Sequence, residues 1–113
     1  MTDDRLPSAL EAAALRRRVE SDGGTATILH RGDADRGSLV LIVMHKGEER
    51  AIAERMLDPY GRYRWASRPA QAGQGSTLIE SAMKRVRVDP DLWLIELDIP
   101  DPERFIAQLA GEC

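Results

Sequence analysis

The sequence predicts an α+β fold: a five-stranded, mainly antiparallel sheet with two long helices and a short C-terminal one, in the order α-β-β-β-β-α-β-α. Three observations carry that prediction. Two segments, 8–22 and 77–88, repeat apolar residues at helical spacing behind capping signals. Between them lie four β-branched or apolar runs, separated by turns containing glycine or proline. One of those runs, Leu39–Met44, is apolar at all six positions. It therefore needs cover on both faces of the sheet, from helices on both sides or from a partner subunit on one.

Each element has its own signal. Ser8 and Glu11 have capping-box spacing, and the helix they open should run to about Asp22, where Gly23-Gly24 supplies a left-handed stop. Its apolar stripe is Ala12, Leu15 and Val19, and Ala9, Ala13 and Ala14 allow close approach to a sheet. Thr25–Arg31 alternates as a first strand, Gly32–Gly37 turns, and Ser38–His45 returns as a second. The Arg31-Gly32-Asp33 tripeptide at this point reads as a glycine-led turn. If the connection is a hairpin, His30 and His45 fall at opposite ends of the ladder and cannot share a metal or a proton.

The third strand is Glu49–Leu57. Asp58-Pro59-Tyr60-Gly61 then specifies a type I turn closing a hairpin onto a fourth strand, Arg62–Ser67. Arg68–Gly75 reads as a loop. Thr77 and Glu80 form a second capping box for a helix to Val88, with Leu78, Ile79, Ala82, Met83 and Val86 on one face. Asp89-Pro90 ends it. The fifth strand, Leu92–Ile99, places Trp93, Ile95, Leu97 and Ile99 on one face. Asp101 caps a last helix that begins with Pro102, packs Phe105, Ile106 and Leu109, and stops at Gly111.

Composition bounds the function. A chain of 113 residues is one domain, spanning 1–113, and 42% hydrophobic content is too high for a disordered chain. The longest apolar run, six residues, is far below the ~20 of a membrane-spanning helix. Asp3 and Asp4 make the start acidic and no hydrophobic stretch follows, so the expected location is the cytoplasm. Cys113 has no partner for an intrachain disulfide, and two histidines with one cysteine fall short of a structural zinc site. No cofactor is expected. Arginine outnumbers lysine fourteen to two, a skew that a GC-rich genome produces without nucleic acid, and the net charge is −3.

Several residues together mark a resemblance: Leu6-Pro7-Ser8, Arg16-Arg17, Gly23-Gly24, Arg31-Gly32-Asp33, Trp65 and Asp89-Pro90-Asp91-Leu92-Trp93. With the element order, they make the chain similar to a family of small bacterial proteins, domain of unknown function 1491. The similarity spans roughly Leu6 to Phe105, and its most specific piece is the run feeding the last strand. The resemblance implies a single cytoplasmic α+β domain, mostly from alphaproteobacteria, and carries no catalytic residue across.

Three sets of residues could carry chemistry. Asp89, Asp91, Glu96 and Asp98 gather around the fifth strand, where carboxylates could hold Mg²⁺ or Mn²⁺ for phosphoester hydrolysis. No lysine or histidine stands among them as base or clamp. Arg62 and Arg64 beside Tyr60, Tyr63 and Trp65, together with Arg16, Arg17 and Arg18, could bind nucleic acid. Strand alternation separates those arginines from the aromatics, and helical geometry fans Arg16–Arg18 around the rod. Nucleophilic catalysis lacks a glycine-flanked serine elbow, and Gly73-Gln74-Gly75-Ser76 lacks the lysine of a nucleotide-binding loop. The function expected is a non-catalytic module acting through protein contacts, a homodimer being one form of it. The alternatives are a nucleic-acid binder through Arg16, Arg17, Arg62 and Arg64, and a metal-dependent phosphoesterase. No membrane partner is expected.

Overall fold

The apolar run 39–44 sits in the middle of the molecule, as a strand without a polar face must. In the computed structural model, which describes residues 6–71 and 77–111, the elements are α1 (Ser8–Ser21), β1 (Thr25–His30), β2 (Leu39–His45), β3 (Glu48–Leu57), β4 (Tyr63–Pro69), α2 (Leu78–Val88), β5 (Trp93–Asp98) and α3 (Pro102–Ala110). The Gly73–Ser76 stretch weighed as an anion loop lies outside the described residues. The five strands form one sheet in the order β1-β5-β2-β3-β4. Three pairings are antiparallel, and β2 with β5 is parallel.

Helices cover both faces. On one, Leu39, Leu41 and Val43 of β2 and Trp93, Ile95 and Leu97 of β5 pack against Ala12, Leu15 and Val19 of α1 and Phe105 and Leu109 of α3. On the other, Val40, Ile42 and Met44 join Ile52, Leu92 and Leu94 beneath Leu78, Ala82 and Val86 of α2. Among the described residues, no helix is long and apolar enough to cross a membrane.

Four expectations need correction. The first two strands are not a hairpin: β5 lies between them, antiparallel to β1 and parallel to β2. Leu92-Trp93-Leu94-Ile95 is buried throughout, so β5 also has apolar residues on both faces and belongs inside the sheet. The first capping box does not form, since no side chain caps α1. The N–H groups of Ser8 and Ala9 donate instead to the carbonyls of Asp35 (3.2 Å) and Ala34 (2.9 Å). β4 runs on to Pro69, because the chain stays paired with β3 where a loop was expected to begin. Finally, Ala14 faces solvent and not the sheet.

The other signals formed as expected. Gly23, at φ 89°, ends α1. Thr77 and Glu80 make their capping box on α2, and Asp101 caps α3.

Candidate functional site

Several residues that carry the family resemblance, Ser8, Arg31-Gly32-Asp33, Asp91 and Trp93, converge on one place, the loop 31–38. The Asp33 carboxylate accepts the N–H groups of Asp35 (3.2 Å) and Arg36 (2.7 Å), folding the loop on itself. The Ser8 hydroxyl, buried, donates to the Gly37 carbonyl at 2.6 Å and so fastens the loop to the start of α1. On the other side, the Asp33 N–H donates to the Asp91 carbonyl (2.9 Å) and Trp93 Nε1–H donates to the Asp33 carbonyl (2.7 Å). Gly32 and Gly37 both lie so close to the Asp91 carbonyl that a Cβ on either would collide with it. Arg31 stacks over the Trp93 ring, 5.4 Å from its centroid. This is a clasp joining α1, β1 and β5, held by the Ser8 hydroxyl, the Asp33 carboxylate and the Trp93 indole.

The acidic candidates are divided between the two ends of β5. At the first end, Asp89 follows α2 and its carboxylate accepts the Asp91 N–H at 3.2 Å. Glu96 and Asp98 share the face of β5 turned toward α2, and both are half-buried. The Asp98 carboxylate accepts the N–H groups of Lys46 (3.0 Å) and Gly47 (2.9 Å). Those residues have φ 50° and 80°, a left-handed two-residue turn between β2 and β3 that the carboxylate orders. At about 3.3 Å per residue, the strand between these ends, Trp93–Asp98, spans roughly 17 Å. Among the described residues no group of three or more His, Cys, Asp and Glu side chains is placed to hold a metal. The histidines also part: His30 Nε2 meets the Pro90 carbonyl and His45 Nδ1 the Ile99 carbonyl, each at 2.9 Å.

The arginines fall into two regions. Arg16 pairs with Glu20 at 3.8 Å, Arg17 is exposed, and Arg18 lies over Phe105 with a hydrogen bond to Gln108. Arg62, Arg64 and Arg68 are exposed along β4 and the turn before it, and Arg64 bonds the Asp58 carboxylate at 2.8 Å. That carboxylate also accepts the N–H groups of Arg62 and Tyr60, each at 2.9 Å. The Arg62 N–H above all holds the Asp58 carboxyl below the usual carboxylate range. Of the aromatics, Trp65 packs inward at 9% exposure, whereas Tyr63 stays at the surface at 36%.

Sequence reasoning missed what lies beside Trp65. Arg55 of β3 pairs with Glu11 of α1, and its guanidinium stacks 4.9 Å from the Trp65 centroid. The partners are 44 residues apart, and only the packing of α1 on the sheet brings them together. They line an open pocket with Ser8, Gly37, Ser38, Leu39 and Tyr63. Its space, ≈ 270 Å³, includes open solvent at the mouth. The two segments that meet here expose large apolar side chains: Leu6 and Leu10 from α1 and the segment before it, and Met56, Tyr60 and Tyr63 from the β3–β4 hairpin, with Met56 on the sheet face opposite α1. Elsewhere among the described residues only Leu29 and Val88 do so.

Comparisons with known proteins agree with this architecture. Residues 6–107 match a family model described as a protein of unknown function, DUF1491. A crystal structure of a DUF1491 family protein from Caulobacter crescentus superposes with a TM-score of 0.71 at 27% identity, covering 89% of this chain and 94% of that one. An NMR structure of a DUF1491 family protein from the same organism gives 0.70 at 28% identity, covering 86% and 88%. The solution structure of protein Atu0922 from A. tumefaciens, a structural-genomics target, gives 0.66 at 24% identity over 86% and 88%, a likeness of fold. Among curated proteins none matches. With a clasp built from its motif residues and a family match over nearly its whole length, the chain belongs to the DUF1491 family.

Proposed function

We propose that this chain is a non-catalytic protein-interaction module whose contact surface is the end formed by the start of α1 and the β3–β4 hairpin. One observation carries the reading: five of the seven large apolar side chains exposed among the described residues gather at that end. Grouped apolar exposure on a folded domain marks a surface that another protein covers. Several polar groups near the sheet have structural partners: Asp89 accepts the Asp91 N–H and Arg64 bonds Asp58. Asp98 orders a turn, Ser8 closes the clasp, and Arg55 is paired with Glu11.

The test is sedimentation of the protein in extracts of its source cells. The native chain should travel in a species heavier than its own 12.6 kDa. A Leu10→Ser, Met56→Ser, Tyr60→Ser variant should travel as the bare chain with its melting temperature preserved, because exposed substitutions cost within about 0.5 kcal/mol each. If the heavy species also forms from the purified chain, the partner is a second copy. If native and variant chains sediment alike, the reading is wrong.

A further inference from the structure

The hairpin at this end presents an open strand edge whose charge is opposite to that of the rest of the chain. β4 is the last strand of the sheet, so its outer backbone edge meets no other strand among the described residues. From Pro59 to Pro69 the chain has three arginines and no acid within a net charge of −3, and with Arg64 paired to Asp58 the unpaired positive charge there is that of Arg62 and Arg68. The register sets Arg64 beside Met56 and Arg68 beside Ile52, so both project on the side of the sheet where α2 lies. That helix packs on β5, β2 and β3, and Arg62, Arg64 and Arg68 stay exposed. Arg62 and Arg68 meet no carboxylate among the described residues.

We propose that β4 takes up an acidic, extended segment of another protein as a sixth strand. The inference rests on the interaction-module reading and names the chemistry of the partner. A free strand edge binds extended peptide through main-chain hydrogen bonds. Arg64 and Arg68, four residues apart on one face of β4, stand about 13 Å apart, the spacing of every second glutamate when glutamates alternate along an added strand. Met56, 53% exposed beside Arg64, offers that strand an apolar contact. A second copy is disfavoured on this edge, since antiparallel β4–β4 pairing sets one row of arginines against another. Single-stranded nucleic acid could use the arginines and Tyr60, but it has no use for a backbone edge and is repelled by the negative remainder.

The experiment uses the full chain and a fluorescent heptapeptide, Glu-Val-Glu-Val-Glu-Val-Glu, followed by anisotropy, with amide NMR shifts to locate it. The peptide should bind with shifts centred on β4, weaken about tenfold against an Arg62→Glu, Arg68→Glu variant of unchanged melting temperature, and weaken similarly when alternate peptide amides are N-methylated. A heptapeptide with lysine for glutamate should not bind. Absence of binding, or equal binding by the N-methylated peptide, overturns the proposal. So does an oligothymidine that binds more tightly than the peptide and is lost in the same variant. A failed peptide alongside an intact heavy species in cell extracts removes the acidic strand and leaves the module reading standing.

Discussion

Trp93 shows how much of the fold rests on single polar atoms. It is almost fully buried, yet its Nε1–H reaches the Asp33 carbonyl, so one side chain fills the core and holds the loop 31–38. Replacing it with Phe removes that hydrogen bond and leaves the carbonyl only the Gly37 N–H at 3.2 Å, at a cost of about 0.5–1.5 kcal/mol. For a domain of this size that corresponds to roughly 2–10 °C of melting temperature, which calorimetry would resolve. A Trp93→Phe protein that melts with the parent would show the clasp to be dispensable. Asp58 provides a second test at this scale. The N–H of Arg62 above all lowers its folded pKa, so its stabilisation is present above the ordinary carboxylate value of about 4 and is lost as pH falls through the lowered value. In Asp58→Asn, acid melts should therefore show a smaller loss of stability below about pH 4 than in the parent. An unchanged acid limb would remove Asp58 as a contributor.

At the scale of elements, two capping signals of equal spacing had different fates. Thr77 and Glu80 formed theirs at an exposed helix start, where the Glu49 carboxylate of β3 accepts the next two N–H groups, of Leu78 and Ile79. Ser8 and Glu11 did not, because packing brings the carbonyls of residues 34–37 to the first N–H groups of α1 and brings Arg55 to Glu11. Local pattern thus marked where every helix begins, and contacts from distant sequence decided what satisfies it. The strands behaved alike. Their number was legible from alternation and turns, whereas the end of β4 and the place of β5 between β1 and β2 were not. Its signal was the apolar run Leu92–Ile95, which the Trp93–Ile99 alternation obscured. The acidic and basic candidates were legible as residue types, and their separation by the length of β5 and by partner choice came only with the fold. The two-faced core predicts that Leu41→Ala, beneath α1 and α3, and Ile42→Ala, beneath α2, each cost about 2–5 kcal/mol in denaturant melts. A small effect at either position would mean that its face is not closed.

For the whole molecule, apolar exposure and positive charge coincide. The core consumes the apolar residues of both sheet faces, leaving a negative surface over most of the chain and an arginine-bearing, apolar hairpin at one end. The clasp and the contact surface share α1: its first residue, Ser8, closes the clasp, and Leu10, two positions on, is exposed. A partner bound there meets an element whose position the clasp already holds. Such pre-ordering lowers the entropic cost of association. The most direct measurement is site-specific photo-crosslinking in the source cells, with the reactive group at Tyr60 or Met56 and, as controls, at Lys84 or Arg87 on the exposed face of α2. The account predicts discrete protein adducts from the two hairpin positions and none from the helix. Adducts from the helix alone, or from no position, would contradict it.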